Sequence, residues 1–190
     1  MNLPNQLTVA RLFLTPLFVV ALSLPWRLGY TAGLALFLIA TLTDYADGAI
    51  ARRYGLESDF GRLMDPLVDK IMIAAAFICL VQDRALPAWV AVVIISREFL
   101  ITGLRMLAAS KGVVLAAERS GKHKTAWQMI TVIFLLLVRS VEEWAGSRTE
   151  AWWHSVSNVG SAALIALALA LTLYSGLGYL WKNRSLIDGV

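Results

Sequence analysis

Cysteine and charge are what this sequence has least of. The lone thiol, Cys79, excludes an intramolecular disulfide, and its place in an apolar run predicts a buried, inert side chain. Only 16% of the residues are charged, against roughly 25% in a typical soluble domain. With 58% hydrophobic residues and a mean hydropathy of +0.68, that scarcity excludes an ordinary soluble globule. Internal repeats, heptad runs and low-complexity stretches are also absent, which removes solenoids and coiled coils from consideration. Lys and Arg outnumber Asp and Glu by 17 to 13, but they are scattered among apolar runs, which argues against a nucleic-acid partner. The surplus suits loops lying against an anionic leaflet and anionic substrates. The first apolar run has no basic segment before Arg11 and no small-x-small cleavage site, so it is expected to be a retained helix rather than a signal peptide.

What is present is a series of apolar runs of spanning length, roughly 17 to 25 residues each. The first covers Leu7 to Leu24, with Arg11 expected to snorkel at its starting end and Pro25, Trp26 and Arg27 at its far boundary. The second starts near Tyr30, is apolar through Thr43, and continues as a helix carrying Asp44, Asp47 and Arg52. A polar link from Arg53 to Arg62 precedes a third helix, from near Gly61 through Leu80. Gln82 to Pro87 reads as a turn, and a fourth span runs from Ala88 to about Ala109, interrupted by Ser96, Arg97, Glu98 and Arg105. The basic segment Lys111 to Lys124, a fifth span with its core at Trp127 to Val138, a mixed-charge loop from Arg139 to His154 and a sixth span from about Val156 to Trp181 complete the chain.

These runs predict an all-α polytopic membrane protein, one domain over residues 1–190 with six transmembrane helices. Six spans place both termini on one side. Nine basic residues (Arg52, Arg53, Arg62, Lys111, Arg119, Lys122, Lys124, Lys182, Arg184) then face four (Arg27, Arg84, Arg139, Arg148) across the membrane, which puts the termini in the cytoplasm. Trp26, Trp89, Trp144, Trp152, Trp153 and Trp181 fall at span ends, as an interfacial aromatic belt requires.

Asp44, Asp47, Asp65 and Asp69 stand out against this apolar background. An unpaired Asp at the centre of a spanning helix costs roughly 2.5 to 3.5 kcal/mol on insertion scales. On a helix, Asp44 with Asp47 and Asp65 with Asp69 each share a face, so two facing helices would form a cage of four carboxylates. Such a cage either holds protons, because like charges resist joint ionisation, or collects hard divalent cations; the cation is the reading favoured here. Two cations held by shared carboxylates suit phosphoryl chemistry. Gly48 and Gly61 lie within a turn of the acids, where small size permits close approach of a ligand or of another backbone. Arg52 at the water boundary suits an acid or a phosphate, and Arg105, Lys122 and Lys124 lie on the same side for a phosphate. Arg97 and Glu98 can satisfy each other or their neighbours. His123 reads as solvated and His154 falls on the opposite side, so neither enters the site.

Read from Asp44 to Asp69, Asp-x-x-Asp-Gly-x-x-Ala-Arg, eight residues, then Gly-x-x-x-Asp-x-x-x-Asp resembles the signature of the CDP-alcohol phosphatidyltransferases. Asn2-Leu-Pro-Asn5-Gln-Leu-Thr8 with Arg11, Ser96-Arg97-Glu98 followed by Gly103-Leu-Arg105, and Gly121-Lys122-His-Lys124-Thr125 with Gln128 are similar to the bacterial branch that makes phosphatidylglycerophosphate. The resemblance implies transfer of the phosphatidyl group of CDP-diacylglycerol to sn-glycerol 3-phosphate, with release of CMP. It implies two divalent cations, Mg²⁺ or Mn²⁺, on Asp44, Asp47, Asp65 and Asp69, with Asp69 also the general base. The residues alone do not choose Asp69 over Asp65. It further implies a CDP site at Asp44, Gly48, Ala51 and Arg52, a homodimer, and a bacterial inner membrane with the site facing the cytoplasm. The acceptor phosphate is assigned to Arg105, Lys122 and Lys124. Two alternatives stand beside this reading. One is a relative using serine, inositol phosphate or a second lipid as acceptor, and the other is a divalent-cation or proton transporter.

Overall fold

The computed structural model describes the backbone over residues 3–54, 59–113, 119–146 and 150–184, and the side chains there outside 3–5, 45–54, 59–63 and 119–122. Six helices fill it: α1 (Leu3–Ser23), α2 (Gly29–Tyr54), α3 (Asp59–Gln82), α4 (Ala88–Ser110), α5 (Arg119–Ala145) and α6 (Ala151–Lys182). The all-α expectation holds, and among the described residues every element is a helix.

Local chemistry fixes where the helices stop. Between α1 and α2 the Trp26 indole N–H donates to the Ala21 carbonyl at 2.7 Å, and a side chain on Gly29 would come within 2.8 Å of that same oxygen. Only glycine allows so tight a reversal. The expected turn at Gln82–Pro87 is present, closed by the Ala85 and Leu86 amides donating to the Leu80 carbonyl at 2.9 and 3.2 Å. At the end of α4, Gly112 takes a φ of +74° and the Val113 amide returns to the Ala108 carbonyl at 2.9 Å, a left-handed helix stop.

Several boundaries differ from those the apolar runs suggested. The link placed at Arg53–Arg62 is shorter, because α2 continues to Tyr54 and α3 starts at Asp59 rather than near Gly61. Most of the loop placed at Arg139–His154 is helical too, since α5 runs on to Ala145 and α6 begins at Ala151. The cause is the same in each case: a helix need not end where its apolar stretch ends, and polar residues carry it past the hydrocarbon.

Large apolar side chains point outward on every helix, among them Phe13, Leu42, Ile78, Val92, Leu137 and Val159. A soluble monomer does not expose so much, whereas a lipid-facing surface requires it. α1, α5 and α6 contain apolar stretches long and uncharged enough to cross a membrane, and α2 adds the shorter Gly29–Asp44. α3 and α4 interrupt their runs with Asp65, Asp69 and Lys70 and with Arg97, Glu98 and Arg105. Three to four candidate spans are therefore evident on composition.

Phe18, Phe37, Met72, Phe77, Ile94 and Leu136, from α1 to α5, form the apolar middle, and Cys79 is buried at its edge as expected. Polar side chains gather at the two ends of the bundle. At the end bearing the α1–α2 turn, the Glu143 carboxylate accepts from the Tyr30 amide at 2.6 Å and from the Thr31 amide and hydroxyl, both at 2.8 Å. A carboxylate from α5 thus satisfies the opening N–H groups of α2, where the helix dipole also favours negative charge. Beside it the Tyr30 hydroxyl donates to Asp83, which the Arg139 Nε also reaches at 2.6 Å. Glu143→Ala strips three acceptor contacts at once and is expected to cost about 1–3 kcal/mol. A melting temperature in detergent lowered by several degrees would show it, and an unchanged one would mean that water replaces the carboxylate without loss.

Candidate active site

At the opposite end the site is organised by α1. Thr8, Arg11 and Thr15 recur at helical spacing within its apolar run, and all three are buried. The Arg11 guanidinium meets the Asp44 carboxylate of α2 at 2.5 Å, and the Thr8 hydroxyl donates to Asp65 of α3. Thr15 continues the stripe, its hydroxyl 3.4 Å from the Met72 sulfur of α3. The expected snorkelling of Arg11 is corrected by these contacts: the residue is 1% exposed and turns inward to a carboxylate. Burial of a guanidinium is tolerable only with such a partner.

The geometry also shows what the acid-bearing helices pack against. Among the described residues α1 packs against both α2 and α3, whereas α2 and α3 have no extended contact with each other. Asp44 and Asp65 are thus both held from α1. Asp69 still belongs to the group, with Asp44, Arg11, Glu98 and Lys70 as its charged neighbours.

Beyond Asp69 lies a cavity of about 70 Å³ between α3, α4 and α5. Asp69, Lys70, Glu98, Thr125 and Gln128 supply its polar lining, and Ile73, Phe77, Ile94 and Phe99 much of its apolar wall. Glu98 is the anionic hub of this region, bonded to the Lys124 ammonium and 3.3 Å from Arg97. Arg97 and Glu98 thus satisfy each other and a neighbour, as the sequence allowed. Lys70 donates to the Thr102 hydroxyl at 2.6 Å, with Arg97 and Arg105 among its charged neighbours. Arg105 donates through Nε to the Tyr179 hydroxyl of α6 at 3.2 Å.

Asp44, Asp65, Asp69, Arg105 and Lys124 therefore collect at one end of the bundle. Asp47, Gly48, Ala51 and Arg52 lie in α2, Gly61 in α3 and Lys122 in α5, in stretches described by their backbone alone. His123 is exposed, as a solvated histidine should be. Thr8, Arg11 and Lys70 were not recognised as site residues from the sequence. Thr8 and Arg11 stood in the motif that begins at Asn2, and their three-residue polar spacing inside an apolar helix was a further signal.

Carboxylate oxygens are the donors that hard divalent cations prefer, so the chemistry of Asp44, Asp65 and Asp69 fits Mg²⁺ or Mn²⁺. Among the described residues no three potential ligands converge closely enough to form a metal nest. Asp44 and Asp65 are engaged by Arg11 and Thr8 instead.

Arg11→Met keeps the bulk of the side chain and removes the charge beside Asp44. Because the Asp44 side chain is 37% exposed, the loss should fall below that of a fully buried pair, at about 1–3 kcal/mol. Thermal unfolding in detergent measures it, and a variant as stable as the parent would show that the ion pair contributes nothing net.

Residues 1–174 match the family described as CDP-alcohol phosphatidyltransferase. The chain is similar to the CDP-diacylglycerol–glycerol-3-phosphate 3-phosphatidyltransferase of Bacillus subtilis, 45% identical over 72% of this chain and 77% of that one. It is similar to the protein of the same name from Pseudomonas fluorescens, 35% identical over 95% and 89% of the two chains. It also resembles a probable phosphatidylglycerophosphate synthase of Mycobacterium tuberculosis, 33% identical over 100% and 85%. An acid motif held at one end of a six-helix membrane bundle and a family match over nearly the whole chain lead to one assignment: this protein is a member of the CDP-alcohol phosphatidyltransferase family.

Proposed function

We propose that this enzyme transfers the phosphatidyl group of CDP-diacylglycerol to sn-glycerol 3-phosphate, giving phosphatidylglycerophosphate and CMP. The names of its relatives support both substrates. The observation that carries the reading is the meeting, around Asp69, of the carboxylates of α2 and α3 with the cations of α4 and α5. Asp44, Asp47, Asp65 and Asp69 would hold two divalent cations. When bound, these ions supply charge neutralisation at the phosphate under attack.

The protein's own residues do the rest. Asp44, Gly48, Ala51 and Arg52 on α2 bind the CDP moiety, leaving the lipid tails in the bilayer. Arg105, Lys122 and Lys124 receive the acceptor's phosphate and orient its primary hydroxyl toward Asp69. Asp69 takes the hydroxyl proton as the new bond to phosphorus forms and the bond to CMP breaks. Lys124 is bonded to Glu98, so it meets the phosphate by sharing or exchanging that partner. Residues 1–190 act as one domain with six spanning helices and both termini in the cytoplasm of a bacterial inner membrane. The site faces cytoplasmic water, and the enzyme works as a homodimer. Transport is disfavoured by the apolar layer of Phe18, Phe37, Phe77 and Leu136 between the two polar ends.

The direct test offers purified protein CDP-diacylglycerol with glycerol 3-phosphate, serine or inositol phosphate in turn, and follows CMP. Release with glycerol 3-phosphate alone, abolished by chelator and restored by Mg²⁺ or Mn²⁺, is the expected result. Turnover confined to another acceptor would overturn the assignment, and full activity in chelator would remove the cations. Asp69→Asn is expected to lower kcat by at least about a hundredfold while retaining cytidine-nucleotide binding. Near-normal turnover of that variant would take the base role away from Asp69.

A further inference from the structure

The proposed reaction leaves one feature unassigned, a buried polar stripe on α6. This helix is otherwise apolar over most of its 32 residues, yet Thr172, Ser175 and Tyr179 are buried along it at spacings of three and four. They share a face, and each meets a polar side chain from another helix. Gln128 of α5 donates to Thr172 at 2.9 Å, Arg97 of α4 donates to Ser175 at 3.1 Å, and Arg105 of α4 donates to Tyr179 at 3.2 Å. Gly176 belongs to the same arrangement, because a side chain there would lie 2.9 Å from the Arg97 Cγ. The stripe accepts hydrogen bonds from both Arg97, half-buried, and Arg105, more exposed, on α4.

None of these partners carries a negative charge, so none neutralises a guanidinium. A hydroxyl and an aromatic face orient it. The Arg105 Cζ lies 5.4 Å from the Tyr179 ring centroid, within cation–π range, while Nε is fixed by the phenol. Of the two edges by which a guanidinium can grip a phosphate, the bond to the phenol occupies Nε on the side edge and leaves the Nη1/Nη2 edge outside this contact. Tyr179 itself is 3% exposed and packs with Ile101 and Leu104 of α4, so the phenol is held by its surroundings.

We propose that Tyr179 is a positioning residue: it fixes the guanidinium of Arg105 in the attitude that receives the acceptor's phosphate, making α6 part of the acceptor-recognition apparatus. The inference rests on the assignment of Arg105 to that phosphate. A purely structural tyrosine would affect folding, or all kinetic constants alike. A positioning one affects the acceptor alone, and only through Arg105.

The test compares the full-length wild type, Tyr179→Phe, Arg105→Ala and the double variant in steady-state assays with both substrates varied. Tyr179→Phe keeps the ring and its burial and removes the hydroxyl. It is expected to raise the acceptor KM about five- to tenfold, leave kcat and the donor KM within about twofold, and add nothing in the Arg105→Ala background. An unchanged acceptor KM, an equal change in the donor KM, or additivity with Arg105→Ala overturns the proposal. Arg105→Lys is the second probe, since it keeps the charge and has no Nε–H for the phenol. It should also raise the acceptor KM, and a wild-type value would overturn the proposal even if Tyr179→Phe fails to fold. If Arg105→Ala itself leaves the acceptor KM unchanged, the phosphate assignment falls and this inference with it. If Arg105→Ala raises it while Tyr179→Phe is silent, only the role of Tyr179 falls.

Discussion

The burial of one guanidinium beside one carboxylate governs the arrangement of this bundle's active end. Arg11 lies mid-helix in an apolar segment and is almost inaccessible to solvent, a position that a lone cation does not occupy in protein or lipid. Its pairing with Asp44 therefore ties α1 to α2, and the neighbouring bond from Thr8 to Asp65 ties α1 to α3. The acids depend on α1 as much as α1 depends on them. A helix that looks like a plain membrane anchor is the bracket on which the two halves of the acid motif hang.

From that bracket the charged end divides into two flanks. Carboxylates prevail where α1, α2 and α3 meet, and cations prevail where α4, α5 and α6 meet. α3 is common to both, presenting Asp69 and Lys70 in succession at the wall of the cavity. A transfer reaction between an anionic donor and an anionic acceptor needs this division, because two negatively charged substrates approach each other only if each is neutralised separately. At the far end the Glu143 and Asp83 contacts join α2, α3 and α5 through hydrogen bonds. Such bonds matter in lipid, where exclusion from water does little to hold helices together. The bundle is thus pinned at both ends around an apolar middle.

The acid motif was legible in the sequence because its chemistry is local: spacings of three and four on helices α2 and α3 put pairs of carboxylates on one face whatever the tertiary structure. The helices themselves were legible for the same reason, apart from ends where Arg139 or Tyr54 extends a helix beyond its apolar run. What the sequence did not disclose was pairing between distant helices. Arg11 satisfied the rules for a snorkelling residue equally well, and only the placement of α1 between two acid-bearing helices decides against it. Lys70 was hidden by its adjacency to Asp69. Ser175 and Tyr179 were hidden because isolated polar residues in an apolar run raise no signal until a partner on α4 is known.

Acceptor choice follows from the balance of charge beside the cavity. Among the described residues, Lys70, Arg97, Arg105 and Lys124 carry four positive charges beside Asp69 and Glu98, which line the cavity and carry two negative ones, a surplus of two. A phosphate monoester brings close to two negative charges at neutral pH, so it balances that surplus, whereas serine, with no net charge, leaves it standing. Charge does not separate glycerol phosphate from inositol phosphate. Charge balance thus favours a phosphorylated alcohol over serine, and it does so through cations on α3 to α5 that lie outside the acid motif shared by every proposed alternative within the family.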